Sequence, residues 1–222
     1  MSDLDRYIRK IKAIRDYTFG EEVGNAITHG AMALITLGGI APASISVFSR
    51  LGTLAAVGTS IFMCSIFLMF MFSSIYHSMA ADTKHKVVLQ ILDHIFIYVA
   101  IAGTYTPIAL SVIGGAPGIV VASLQWGMVL FGVLYKSLSR RSIPKVSLTI
   151  YLVMGWSILF VSPMFFRNAS LGMQLLLFGG GVFYSGGAYF YKKKEKMFFH
   201  MVWHLCVNLG ALCHFLGLLM FL

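Results

Sequence analysis

Seven stretches of mostly apolar residues follow one another with only short polar connections between them, and few folds can accommodate that pattern. They run near 26–48, 54–76, 87–113, 119–135, 146–166, 171–191 and 197–222. As helices, such stretches cross a hydrocarbon layer of roughly 30 Å. Strands exposed to lipid would leave their backbone groups unpaired, so helices are the only economical solution. A soluble chain of 222 residues has no core large enough to hide seven such runs. Charged residues make up 11% of the sequence, far below the roughly 25% of soluble domains. The pattern predicts an all-α integral membrane protein, a bundle of seven transmembrane helices. Pro107, within Gly103-Thr104-Tyr105-Thr106-Pro107, should kink the third span.

The basic residues assign an orientation. Arg6, Arg9, Lys10, Lys12 and Arg15 precede the first span. Lys84 and Lys86 lie in the second connection, and Lys136, Arg140, Arg141 and Lys145 in the fourth. The sixth connection holds Lys192, Lys193, Lys194 and Lys196, whereas the opposite side holds only Arg50 and Arg167. Fifteen against two puts the N-terminus in the cytoplasm and the C-terminus outside. The net charge of +9 is then a signal of topology and of attraction to anionic lipid, not of nucleic-acid binding.

Two regions are expected. Residues 1–20 form a basic amphipathic segment, with Leu4, Tyr7, Ile8, Ile11 and Ile14 at helical spacing, suited to the inner leaflet. This segment has no apolar core of the kind a cleaved secretion signal needs. Residues 21–222 form the membrane domain. Cys64, Cys206 and Cys213 lie within apolar runs without CxxC spacing and read as buried small side chains.

Polar residues inside such spans are costly and therefore informative. Asp93 lies several residues within the third span, where a carboxylate costs about 2.5–3.5 kcal/mol at mid-membrane and less nearer the interface. His200 and His204 share one helical face at the start of the seventh span, and His77 ends the second. Mapped onto the topology, all four fall in the cytoplasmic half, level with Glu22, Asn25 and His29 at the start of the first span. Three imidazoles and a carboxylate suit Zn²⁺, with a position left for water. Asp93 would bind that water or the metal itself. Ser73, one turn before His77, can join the residues that orient the ligands. His29 reads as a support to the ligands, and Glu22 and Asn25 as either helix caps or part of the site. His94 points about 100° away from Asp93 and reads as packing. His85 reads as solvated, and His214 as remote from the cluster.

Five ordered motifs resemble the hemolysin III family, the bacterial branch of the progestin and adipoQ receptor family. They are Glu22-x-x-Asn25-x-x-x-His29, Ser73-x-x-x-His77, Asp93 with Ala102-Gly103-Thr104-Tyr105-Thr106-Pro107 downstream, Met154-Gly155-Trp156, and His200-x-x-x-His204. The resemblance implies a seven-helix bundle in the bacterial cell membrane with zinc near the cytoplasmic face. It makes His77, His200 and His204 the ligands and gives Asp93 the bound water. Related adiponectin receptors and alkaline ceramidases share this arrangement and are linked to ceramide amide hydrolysis. The family name implies cytolysis. Short loops leave no extracellular region for a protein hormone.

Two functions follow as expectations. One is a zinc-dependent hydrolase of a lipid amide or ester, acting in membrane lipid homeostasis on a substrate that enters laterally between helices. Asp93 would be its general base, and Ser73 an oxyanion or positioning group. The other is a non-enzymatic cytolytic, pore-forming or membrane-sensing protein whose zinc clamps the second and seventh spans. The sequence specifies no oligomeric state.

Overall fold

The computed structural model describes residues 17–81, 83–138 and 144–222, and all its regular structure is helical among them. Most of the amphipathic segment, with Arg140 and Arg141, lies outside the described residues.

The first helix, α1 (Phe19–Leu51), begins at a capping box spelled by Thr18-Phe19-Gly20-Glu21. The Thr18 hydroxyl accepts the Glu21 N–H at 3.3 Å, and the Glu21 carboxylate accepts the Thr18 N–H at 3.0 Å. Gly52, at φ 79°, alone joins α1 to α2 (Thr53–Ser78) and folds them into a hairpin. Along α1 the residues Glu21, Asn25, His29 and Ala33 recur every four positions and are all buried, so a face with three polar members turns inward.

Helix α3 (Lys84–Pro107) widens into a π-helical segment, Ile108–Ile113. Pro107 has no N–H to donate to the preceding turn, so the kink expected there takes the form of a wider turn. Close packing accompanies it. A Cβ on Gly118 of α4 (Gly115–Leu138) would collide with the carbonyl of Ala109.

The fifth apolar stretch is a broken rod: α5 (Pro144–Trp156), a 3₁₀ turn (Ser157–Val161) and α6 (Ser162–Asn168). Tyr105 services the break. Its hydroxyl donates to the Gly155 carbonyl at 2.7 Å and accepts the Ile158 N–H at 2.8 Å, satisfying groups that an unbroken helix would pair internally. Helices α7 (Leu171–Lys192) and α8 (Phe199–Phe221) complete the bundle.

Six helical rods among the described residues are long and apolar enough to cross a membrane: α1, α2, α3 with its π segment, α4, the α5–α6 rod from Val146, and α8. The chain is a multi-pass membrane protein. Helix α7, expected as a seventh such stretch, has 22 residues and the necessary length. Glycines, Gln174 and Ser185 interrupt its apolar residues.

The start of the first helix meets the residue before the last one. Phe198, at φ 60° just before α8, donates its N–H to the Glu21 carboxylate at 3.0 Å. At the other end of the bundle the Arg50 guanidinium donates to the Leu219 carbonyl at 2.7 Å. Between these ties α1, α2, α3 and α8 pack through Ala33, Phe62, Phe70, Ala100 and Val207.

Candidate metal centre

Four helix ends converge where α1 begins. There α2 contributes His77 from its last turn, and α8 contributes His200 and His204 from its first two. All three imidazoles are buried, and one ring nitrogen from each lies within 4.8 Å of the others. Their hydrogen bonds determine which nitrogens face inward. Nδ1 of His77 lies 2.5 Å from the Glu22 carboxylate, so Nδ1 carries the proton and donates. That leaves Nε2 of His77 as a buried lone pair with no protein partner. Nδ1 of His204 sits 3.2 Å from the Asn25 carbonyl and donates to it, which likewise leaves Nε2 as the lone pair. Buried acceptors without a donor are costly, and a cation satisfies them. The donor set fits a borderline-soft divalent ion such as Zn²⁺.

Helix α1 is the scaffold of this centre. Glu22 holds His77, the Asn25 carbonyl holds His204, and Thr28 brings its hydroxyl to 3.3 Å from the same His204 nitrogen. His29 stacks flat on His204 and stands outside the three-histidine group. Capping falls to Thr18 and Glu21, which frees Glu22 and Asn25 to face the histidines. Tyr17 covers the cluster from the chain's N-terminal side, its ring 5.2 Å from that of His200 and 5.7 Å from that of His77.

Asp93 and Ser73 lie on the wall of a cavity of about 170 Å³ that opens beside His200 and His204. The two side chains interact with each other. The cavity follows α3 from Asp93 to Ile108, roughly 22 Å at 1.5 Å per residue. Its walls beyond the histidines are mainly apolar, with Met69, Ile97, Ile101, Leu152, Phe165 and Leu177 among them. The space is therefore an apolar slot with its charged and metal-ligating groups at one end.

The family pattern described as "Haemolysin-III related" matches residues 17–215. The chain belongs to the hemolysin III family. It is 35% identical over 206 residues to "Hemolysin-3 homolog" of Bacillus subtilis (strain 168), an alignment covering 92% of this chain and 96% of that protein. It is also 35% identical over 206 residues to "Hemolysin-3" of Bacillus cereus, covering 90% and 91%.

Within this hemolysin III chain, three residues play parts that sequence reasoning did not give them. Lys86, counted only as an orienting charge, is 1% exposed and bonded to Glu22 at 2.8 Å. His94, read as packing, lines the cavity beside Asp93, with Nδ1 2.6 Å from the Gln90 carbonyl and Nε2 3.4 Å from the Tyr191 hydroxyl. His214 is remote from the cluster along α8 but borders the far part of the same cavity, its Nε2 donating to the Leu177 carbonyl at 3.1 Å. His85 is exposed.

Proposed function

We propose that this chain is a zinc-dependent hydrolase of a membrane lipid amide or ester, with His77, His200 and His204 as the ligands. The observation that carries the reading is a three-histidine cluster, two of whose members, His200 and His204, border the polar end of an apolar slot walled by Asp93 and Ser73. Zinc bound there supplies a Lewis acid, able to polarise a carbonyl and bring the pKa of water toward 7. Asp93 accepts the proton of the attacking water and returns it to the leaving group. Ser73 holds the Asp93 carboxylate toward the histidines. The apolar walls take the acyl chain, which enters laterally between helices from the bilayer.

We infer seven spans, with α7 counted as the sixth, an N-terminus in the cytoplasm and a C-terminus outside. The basic residues gather at the histidine end, which supports a scissile bond at the inner leaflet. Membrane lipid is then the partner, and lysis of the kind the relatives' names imply follows from altered lipid. A conducting path would need polar groups along its whole length, and the slot is mainly apolar past the histidines.

A second reading has its own support. The ligands come from α2 and α8 alone, so a zinc there would also clamp two helices distant in sequence. The test uses purified protein in nanodiscs, with zinc quantified and N-acyl and O-acyl lipids supplied. Free fatty acid should appear with the metal present, stop on chelation and return on zinc addition. Full zinc occupancy with no acyl release from any lipid would leave the clamp as the function.

A further inference from the structure

We infer that Lys86 is a positioning residue of the histidine cluster: acting through Glu22 it fixes the ring of His77 and so sets the affinity of the site for metal. The inference rests on the metal reading above and adds Lys86, a residue that reading did not use.

Lysine is almost never fully buried without a partner, and Lys86 is 1% exposed. Its ammonium donates to Glu22 Oε1 at 2.8 Å and to the Met79 carbonyl at 3.0 Å, and lies 4.6 Å from the centre of the Tyr76 ring. Glu22 is engaged on both sides, since its other oxygen accepts from His77 Nδ1 at 2.5 Å. The result is a chain of contacts from Lys86 on α3 to Glu22 on α1 to His77 on α2, ending at the unpartnered Nε2. The first turn of α3 holds Lys86 in place, because the Thr83 hydroxyl caps its backbone N–H at 3.1 Å.

Two plainer roles fit less well. A lysine that only orients the chain in the membrane belongs at the water boundary and needs no carboxylate partner. A lysine kept only for stability is a poor device, since a buried ion pair often contributes less than the apolar residues that could replace it. What this pair does supply is direction. Glu22 is a carboxylate on a histidine that faces a metal site, a partner that fixes the ring and whose loss typically weakens metal binding 10–100-fold. Without Lys86, that carboxylate loses two-point fixation and can swing away from Nδ1.

The experiment uses the full chain in nanodiscs and measures zinc affinity by chelator competition, the visible spectrum of the Co²⁺-loaded protein, and the melting temperature without metal. Lys86→Met should weaken zinc about 10-fold or more and alter the cobalt spectrum. Lys86→Arg, which keeps the cation, should recover most of the affinity, and Lys86→Gln should not. Adding Lys86→Met to Glu22→Gln should cost no further affinity, because both act through one contact. Wild-type affinity in Lys86→Met, or in Lys86→Gln where the methionine variant does not fold, overturns the inference. So does a lowered melting temperature with unchanged zinc affinity, or full additivity in the double variant. Failure of the wild type itself to bind zinc sinks this inference and the metal reading together, whereas tight wild-type binding with unaffected variants sinks this one alone.

Discussion

His29 lies face to face on His204, with ring centroids 3.7 Å apart and planes 8° from parallel. The Phe70 ring meets His29 edge-on at 5.1 Å. The His204 imidazole is thus backed by a second imidazole, which a phenyl ring supports in turn. Neither nitrogen of His29 has a protein partner, so its flat face is what it offers the site.

His29→Phe should therefore keep zinc, since it keeps a flat ring against His204. His29→Ala should lower stability by roughly 2–4 kcal/mol, as large-to-small changes in packed interiors do. Thermal unfolding in detergent, with zinc content measured on the same samples, checks both. Zinc loss in His29→Phe equal to that in a ligand variant would mean that the nitrogens matter.

Metal content separates the seven histidines. Purified protein should hold about one zinc per chain, one ion for three imidazole ligands. His77→Ala, His200→Ala and His204→Ala should each fall to background, while His85→Ala and His214→Ala should match wild type. Elemental analysis after exhaustive dialysis is sufficient, and depletion by the last two would mean that the cluster has been assigned to the wrong residues.

Asp93→Asn distinguishes chemistry from clamping. The amide has nearly the same size and can still interact with Ser73, but it accepts no proton. Acyl release should drop about 10²–10⁴-fold with zinc and melting temperature unchanged. His204→Ala, by contrast, should lose metal, turnover and thermal stability together. Asp93→Asn with normal zinc and a wild-type lipid profile would rule out the hydrolytic mechanism.

Orientation is open to reporter fusions. Fusions near Lys84, Arg140 and Lys194 should report cytoplasm, and a fusion after Leu222 should report the outside. A cytoplasmic C-terminus would remove α7 from the spans and move the histidines relative to the leaflets.

Much of this architecture could be read from the residue order. The runs of apolar residues specify the helices, and Pro107 marks the place where α3 changes form. What escaped was mostly a matter of side-chain reach. Lys86 looks like its neighbour Lys84, because nothing local reveals which of two lysines folds inward on a carboxylate 64 positions away. The ambiguity over Glu22 could have been resolved, since Thr18-x-x-Glu21 is a capping signature and leaves the next residue free. The break after Trp156 depends on Tyr105, whose hydroxyl bonds Gly155, 50 positions later, and Ile158 and so satisfies the freed backbone groups. His94 reaches the cavity because the slot is wide enough to take in two adjacent faces of α3.

The contact between Glu21 and Phe198 has a consequence for the order in which this protein is made. The hairpin of α1 and α2 brings Glu22 and His77 together early in synthesis, and Lys86 follows within a few residues. The other two histidines emerge only after more than half the chain has been added. A chain that ends before α8 therefore carries a single imidazole of the three, and its Glu21 carboxylate holds the Thr18 N–H but still lacks that of Phe198. A metal bound at the three histidines would therefore mark a chain in which the first helix and the last have already met.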